Sequence, residues 1–181
     1  MKKLVFATLM CVAAMSAKAQ VLTSETVNHV YEEVTNKAES NFAYNAEWTG
    51  KDITAMYVFK KDRGPKGLLS LKPHLKYEYA YASDGMLTSR VTYRWAEGQN
   101  DWVCTARHDY TLINDTYSAE YSRYNHAANR FDLPVEKMVY SLTPEVGVDY
   151  VSCYHRNYTS SQFKLVSEAI VSDMNRLFAM K

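Results

Sequence analysis

The stretch Tyr77-Glu78-Tyr79-Ala80-Tyr81-Ala82-Ser83-Asp84-Gly85-Met86-Leu87-Thr88-Ser89-Arg90-Val91-Thr92-Tyr93-Arg94-Trp95 settles the fold class. Tyr77, Tyr79 and Tyr81 recur with a period of two, the spacing that puts side chains on one face of a strand. Ser83-Asp84-Gly85 then makes a tight turn, and Asp-Gly between two alternating runs is a strong hairpin signal because glycine accepts a positive φ. On the return, alternation assigns Leu87, Val91, Tyr93 and Trp95 to one face and Thr88, Arg90, Thr92 and Arg94 to the other, wet face.

The same pattern extends in both directions. Upstream, Phe42, Tyr44, Ala46 and Trp48 alternate with Asn41, Asn45 and Glu47, Thr49-Gly50-Lys51-Asp52 turns, and Ile53, Ala55, Tyr57 and Phe59 resume. Arg63-Gly64-Pro65-Lys66-Gly67 breaks the chain, and Pro73, with no N–H to donate, is expected to keep its stretch from running as a central strand. Downstream, Glu97-Gly98-Gln99-Asn100 leads into Trp102, Cys104, Ala106, Tyr110 and Leu112, read as sharing a face. Asn114-Asp115 turns, Tyr117, Ala119 and Tyr121 follow, and Asn125 to Asn129 turns again. Residues 135–142 and 150–156 read as further strands, with a loop at 144–147. The expectation is a mainly β protein: an antiparallel β-meander of roughly eight to ten strands in an open or partly closed sheet, with little helix.

The two ends of the domain read less simply. Val27, Val30, Tyr31 and Val34 have helical spacing, with Ser24 as a candidate N-cap. Yet Leu22-Thr23-Ser24-Glu25-Thr26-Val27 resembles Leu165-Val166-Ser167-Glu168-Ala169-Ile170, and the β-branched content of both favours strands. Residues 173–181 are expected to form a helical turn or a frayed tail.

Lys2 and Lys3 precede an apolar run from Leu4 to Met15, and Ser16-Ala17-Lys18-Ala19 offers small residues at an A-x-A cleavage site. This reads as a cleavable signal peptide over residues 1–19, followed by a single β-rich domain over residues 20–181. Cys11 lies in the middle of the apolar run behind the bulky Met10, which does not suit lipidation. The expected destination is the periplasm or the extracellular space. No stretch reaches the roughly 20 apolar residues of a transmembrane helix. Cleavage removes Lys2, Lys3 and Lys18 and turns 21 basic against 20 acidic residues into 18 against 20, a formal charge of −2. That balance argues against nucleic acid as a partner.

Cys104 and Cys153 remain in a chain bound for an oxidising compartment. They are either two buried thiols or one disulfide. The five histidines are scattered over separate elements. His108 and Asp109 are strand neighbours pointing to opposite faces, so the aspartate cannot orient the ring. No glycine-rich phosphate loop, zinc-protease or serine-hydrolase motif occurs, and neither a cofactor nor a metal is expected.

Tyr77-Glu78-Tyr79-Ala80-Tyr81 through Asp84-Gly85-Met86-Leu87-Thr88 resembles one YD-type hairpin of the Rhs-like repeat proteins, departing from it at Ala82 and Met86. The signal peptide, Lys72-Pro73-His74-Leu75-Lys76-Tyr77-Glu78-Tyr79, the tyrosine hairpins and the Leu-x-Ser-Glu ending together resemble a family of small secreted proteins of unknown function from the Bacteroides group. That resemblance implies compartment and fold and brings no chemistry with it.

Fifteen tyrosines in 181 residues are more than one packed sheet face needs. The expectation is therefore a non-catalytic envelope protein that binds a protein, peptide or glycan through an aromatic-rich face, with Tyr79, Tyr81, Tyr93, Trp95, Tyr150 and Tyr154 as its candidate residues. The alternatives are a glycan-processing hydrolase with an acid pair drawn from separate strands, and a small outer-membrane β-barrel or structural protein.

Overall fold

A computed structural model describes residues 21–37, 40–64, 68–114, 116–141, 148–157 and 160–172. The expected signal peptide, the loop at 144–147 and the tail at 173–181 lie outside the described residues. One helix, α1 (Ser24–Thr35), precedes ten strands: β1 (Phe42–Thr49), β2 (Asp52–Arg63), β3 (Leu69–Tyr81), β4 (Leu87–Ala96), β5 (Asp101–Ile113), β6 (Thr116–Asn125), β7 (Arg130–Phe131), β8 (Glu136–Ser141), β9 (Val148–His155) and β10 (Lys164–Ser172). All strand pairings are antiparallel. The sheet runs β1-β2-β3-β4-β5-β6-β8-β9-β10, with the short β7 paired to the end of β6. This is the meander that the alternation and turns indicate. The sheet is open, with β1 and β10 at its edges, whereas a barrel that crosses a membrane must close on itself.

The turns work as their residues dictate. Gly50 and Gly85 take φ of 62° and 82°, and Asn100, Asn114 and Asn129 take 52°, 48° and 50° at the ends of their turns. These are the residue types for which left-handed backbone is least costly.

The N-terminal segment is a helix, which corrects the strand reading of residues 22–27. Thr23 Oγ1 accepts from the Thr26 N–H at 3.3 Å, and Thr26 Oγ1 accepts from the Thr23 N–H at 3.3 Å, a reciprocal capping box that starts α1 one residue before Ser24. Val27, Val30, Tyr31 and Val34 then form one apolar stripe. The look-alike segment at 165–170 is a strand, as expected, paired with β9. Local capping and the stripe override the shared β propensity at the first site only.

Backbone bonds on one side and the Asn28 side chain on the other fasten α1 across two hairpins. Ser24 N donates to Gly85 O at 3.0 Å and Leu87 N to Leu22 O at 2.8 Å. Asn28 Nδ2 donates to Lys51 O at 2.8 Å, and Ile53 N donates back to Asn28 Oδ1 at 3.3 Å. A Cβ on Gly85 would lie 3.6 Å from Ser24 Oγ, an ordinary contact, so it is the positive φ of 82° and not space that favours glycine there. Beneath the helix sits the core of Val27, Ile53, Leu87, Tyr110, Tyr117 and Ala119, with Tyr79, Tyr81 and Tyr140 packed against it. The sheet therefore has a covered face under α1 and an opposite, open face.

Register irregularities decide which residue lies on which face. Ala80 pairs with Ser89 but Tyr81 with Leu87, so Thr88 is an extra residue in β4. The parity of the strand flips there. Leu87 joins the covered face with Tyr81, whereas Val91, Tyr93 and Trp95 lie on the open face. Arg90 and Thr92, expected to be wet, lie on the covered face. A second bulge at Thr105 does the same in β5, because Tyr93 pairs with Cys104 but Thr92 with Ala106. Trp102 and Cys104 thus lie on the open face and Ala106 and Tyr110 on the covered one, which splits the single face expected for them. A bulge inserts one unpaired residue and so moves everything beyond it to the other side. Pro73 also departs from expectation. β3 runs through it, because Pro73 pairs with Phe59 at a bulge and the β3–β4 ladder begins only at Leu75. Proline is tolerated at bulges and unpaired edges.

Candidate functional site

The open face carries a connected aromatic cluster. Trp95 and Trp102, directly paired across β4 and β5, meet edge to face with centroids 5.1 Å apart. Trp102 contacts Tyr57 of β2 at 6.0 Å. The Lys76 ammonium lies 5.6 Å from the Tyr57 ring centre and 5.2 Å from that of Tyr93, bridging the two phenols. Each ring is half-buried, so each keeps part of its face in water.

Carboxylates fix the two tyrosines by their polar ends. The Tyr57 hydroxyl donates to Glu47 Oε1 at 2.7 Å, and the Tyr93 hydroxyl donates to Glu78 Oε2 at 2.6 Å. Lys76 Nζ lies 2.7 Å from Glu78 Oε1. Partial burial of Glu78 opposes its ionisation, but hydrogen bonds from Lys76 and Tyr93 outweigh it and hold the carboxyl below its usual range. Burial first, and then the bond to Glu78, push the Tyr93 phenol well above its ordinary value. Tyr57 is raised by burial and by Glu47. Both phenols are therefore neutral donors and Glu78 is an anion at neutral pH. Glu47 and Glu78 face the same side across Ala55, two strand spacings apart, which is about 10 Å.

The six candidate residues do not form one surface. Tyr93 and Trp95 belong to the open-face cluster. Tyr79 and Tyr81 lie on the covered face, packed against the core, where the Tyr81 hydroxyl donates to Ile53 O at 2.7 Å. Tyr154 of β9 shares the open face but is separated from β4 by β5, β6 and β8. Tyr150 belongs to β9, and its side chain lies outside the described residues, as does Tyr158. Tyr57 and Trp102 complete the cluster, yet alternation places both in strands without singling them out. The contact of Trp102 with Trp95 depends on the Thr105 bulge, which alternation alone does not reveal.

The disulfide left open by the sequence is not made. Cys104 and Cys153 are free thiols on opposite faces, with β6 and β8 between their strands. Three strand spacings, about 14 Å, exceed the roughly 7 Å Cα separation a disulfide spans. Burial raises the Cys104 thiol above its usual range, so it is a poor nucleophile. As expected, His108 and Asp109 point apart: Asp109 Oδ2 accepts from Arg107 Nε at 2.8 Å on the open face, while His108 contacts Arg90 on the covered one. Among the described residues, no group of three or more His, Cys, Asp or Glu is placed to hold a metal ion.

A single open antiparallel meander, one helix on one face and an aromatic cluster on the other, defines the class of this protein. The chain belongs to the family of unknown function DUF3836, whose profile matches residues 1–142. A crystal structure of a protein of unknown function from Bacteroides fragilis NCTC 9343 is similar, with a TM-score of 0.63 and 24% identity over 78% of this chain and 99% of that one. Crystal structures of DUF3836 family proteins also match. One, from Parabacteroides distasonis ATCC 8503, has a TM-score of 0.47 and 21% identity over 54% of this chain and 87% of that one. Another, from Bacteroides vulgatus ATCC 8482, has a TM-score of 0.47 and 22% identity over 63% and 98%. No curated protein matches the chain.

Proposed function

We propose that this chain is an exported, non-catalytic binding module and that its open-face cluster of Tyr57, Tyr93, Trp95 and Trp102 recognises a glycan. The observation that carries this reading is the chain of ring contacts on the face α1 leaves uncovered, with Lys76, Glu47 and Glu78 set among the rings. Half-buried rings, the two tyrosines anchored at their polar ends, present apolar surface at little entropic cost. A sugar ring is complementary to it, offering C–H groups to the rings and hydroxyls to the ammonium and the carboxylates. Export is supported by the Lys2-Lys3, apolar and Ala17-Lys18-Ala19 sequence of the first 19 residues.

Recognition is favoured over hydrolysis by how the two carboxylates are used. Each accepts a hydrogen bond from a tyrosine hydroxyl and so serves to hold a ring of the cluster, and Glu78 is in addition paired with Lys76. The test is a panel of soluble polysaccharides and peptides added to the mature protein, residues 20–181, with tryptophan emission as the readout. Saturable change with one or more glycans and no release of reducing sugar is the expected result. Release of reducing sugar would establish the hydrolase instead.

A further inference from the structure

The β2–β3 hairpin runs on past the sheet as a two-stranded ribbon. Pairing of β2 with β1 ends at Lys60, opposite Phe42, and pairing of β3 with β4 begins only at Leu75. After a last bond from Lys61 N to Asn41 O at 3.0 Å, residues 61–63 and 69–72 pair only with each other among the described residues. Alternation puts Lys61, Arg63, Leu69 and Leu71 on one side, with Leu71 opposite Lys61 and Leu69 opposite Arg63. That side continues the open face through the pair Phe59 and Pro73. Leu68, Leu69 and Leu71 are 72%, 57% and 51% exposed, so the end of the ribbon holds three leucines in water. Lys61 and Arg63 make no ion pair among the described residues. On the reverse side Lys72 Nζ lies 2.6 Å from Asp62 Oδ2, which neutralises the one acid of the ribbon. Lys60, Lys61, Arg63 and Lys72 against Asp62 make the ribbon cationic, although the domain over residues 20–181 is formally −2.

We propose that this ribbon docks the domain on an anionic lipid bilayer, with Leu68, Leu69 and Leu71 entering the boundary between headgroups and acyl chains and Lys61 and Arg63 meeting lipid phosphates. Exposed leucines directly opposite cations are the pairing an interface calls for. The leucines leave water, while the long basic side chains lay their stems on the apolar layer and keep their charges among the headgroups. An anionic surface attracts each of the cations. At the interface the unpaired backbone edges of the ribbon stay hydrated, which the hydrocarbon interior would forbid. A two-fold pairing of ribbons from two copies would instead crowd cations together, with only Asp62 of each copy to offset them. The inference goes beyond glycan recognition. Phe59 and Pro73 stand between the ribbon and the ring cluster, so each can be removed without the other.

Co-sedimentation of the mature protein with vesicles tests the assignment; residues 1–19 are omitted because their own apolar run would bind lipid. Phosphatidylcholine vesicles containing about 30% phosphatidylglycerol are expected to bind it at about 0.1 M salt, and pure phosphatidylcholine at least about tenfold more weakly. L69S/L71S is expected to lose at least about tenfold in vesicle affinity. K61Q/R63Q should lose about 5–10-fold on the anionic vesicles and most of the salt dependence. The two leucines are exposed, so L69S/L71S should keep the circular dichroism of the parent. W95A/W102A should bind vesicles as the parent does, so failure here leaves the glycan reading untouched. No binding to anionic vesicles at about 2 mM lipid, or undiminished binding by L69S/L71S, would overturn the proposal. Dimerisation that L69S/L71S abolishes, without vesicle binding, would overturn it too and assign the ribbon to a second copy.

Discussion

The Tyr93 hydroxyl lies 2.6 Å from Glu78 Oε2, tying β4 to β3 on the open face. The bond sets the angle of the Tyr93 ring, and Lys76, paired with Glu78 at 2.7 Å, is thereby held between Tyr93 and Tyr57. One carboxylate thus organises two rings and a cation.

Replacing Tyr93 with Phe removes this donor and keeps the ring. The Glu78 side chain is 40% exposed, so water replaces part of the loss, and the expected cost is about 1 kcal/mol. The Glu78 carboxyl should titrate higher in Y93F than in the parent protein. Urea unfolding and a carbon-detected NMR titration check the two effects.

Thr23→Ala removes one half of the capping box at the start of α1. Loss of an N-cap threonine costs about 1 kcal/mol, and the helix should fray from its N-terminus. Hydrogen exchange at Thr26 and Val27 is expected to accelerate more than at Ile53, which Asn28 holds from the middle of the helix.

His108 makes the fold sensitive to mild acid. Burial and then Arg90 lower its pKa to about 3, against about 6.5 in an unfolded chain. The unfolded state therefore binds the proton first. The stabilisation is fully present above pH 6.5 and is lost as pH falls towards 3, by about 1 kcal/mol per pH unit. Glu78, also depressed, adds to acid loss only near and below the ordinary carboxylate range, and Glu136, raised by burial, works against it. Between pH 6.5 and 5 the slope should belong to His108 together with His74, whose pKa is also lowered by burial and then by Lys60 and Arg94, and H108Q isolates the part due to His108. Unfolding free energies of the parent and H108Q over that window should converge as pH falls.

Much of the fold is legible in the sequence because its determinants are local. Alternation marks the strands, and Gly50, Gly85, Asn100 and Asn114 mark the turns. The site is less legible because it depends on register. Nothing in the identities of Thr88 or Thr105 announces an extra residue, yet each reverses the facing of the residues beyond it. That is why Leu87 separates from Tyr93 and Trp95, and why Trp102 joins them. Arg90 has the alternation of an exposed residue and ends on the covered face for the same reason. The helix over 24–35 required weighing a capping box against β-branched content, and Pro73 required knowing that β4 starts pairing only after it.

The cysteines provide an independent check on register. With Cys104 and Cys153 on opposite faces of separated strands, the mature protein unfolded without reductant should titrate two thiols per chain. No free thiol in the monomer would mean that β5 and β9 are misplaced relative to one another.

Recognition by the open aromatic face rests on Trp95 and Trp102, and the decisive measurement is the affinity of the W95A/W102A double variant for the best glycan of the panel. The two rings are in contact, so they are removed together. A loss of at least about tenfold is expected with the β-sheet circular dichroism unchanged, since buried aromatic anchors dominate binding. Unchanged affinity in a folded W95A/W102A variant would contradict recognition by this face.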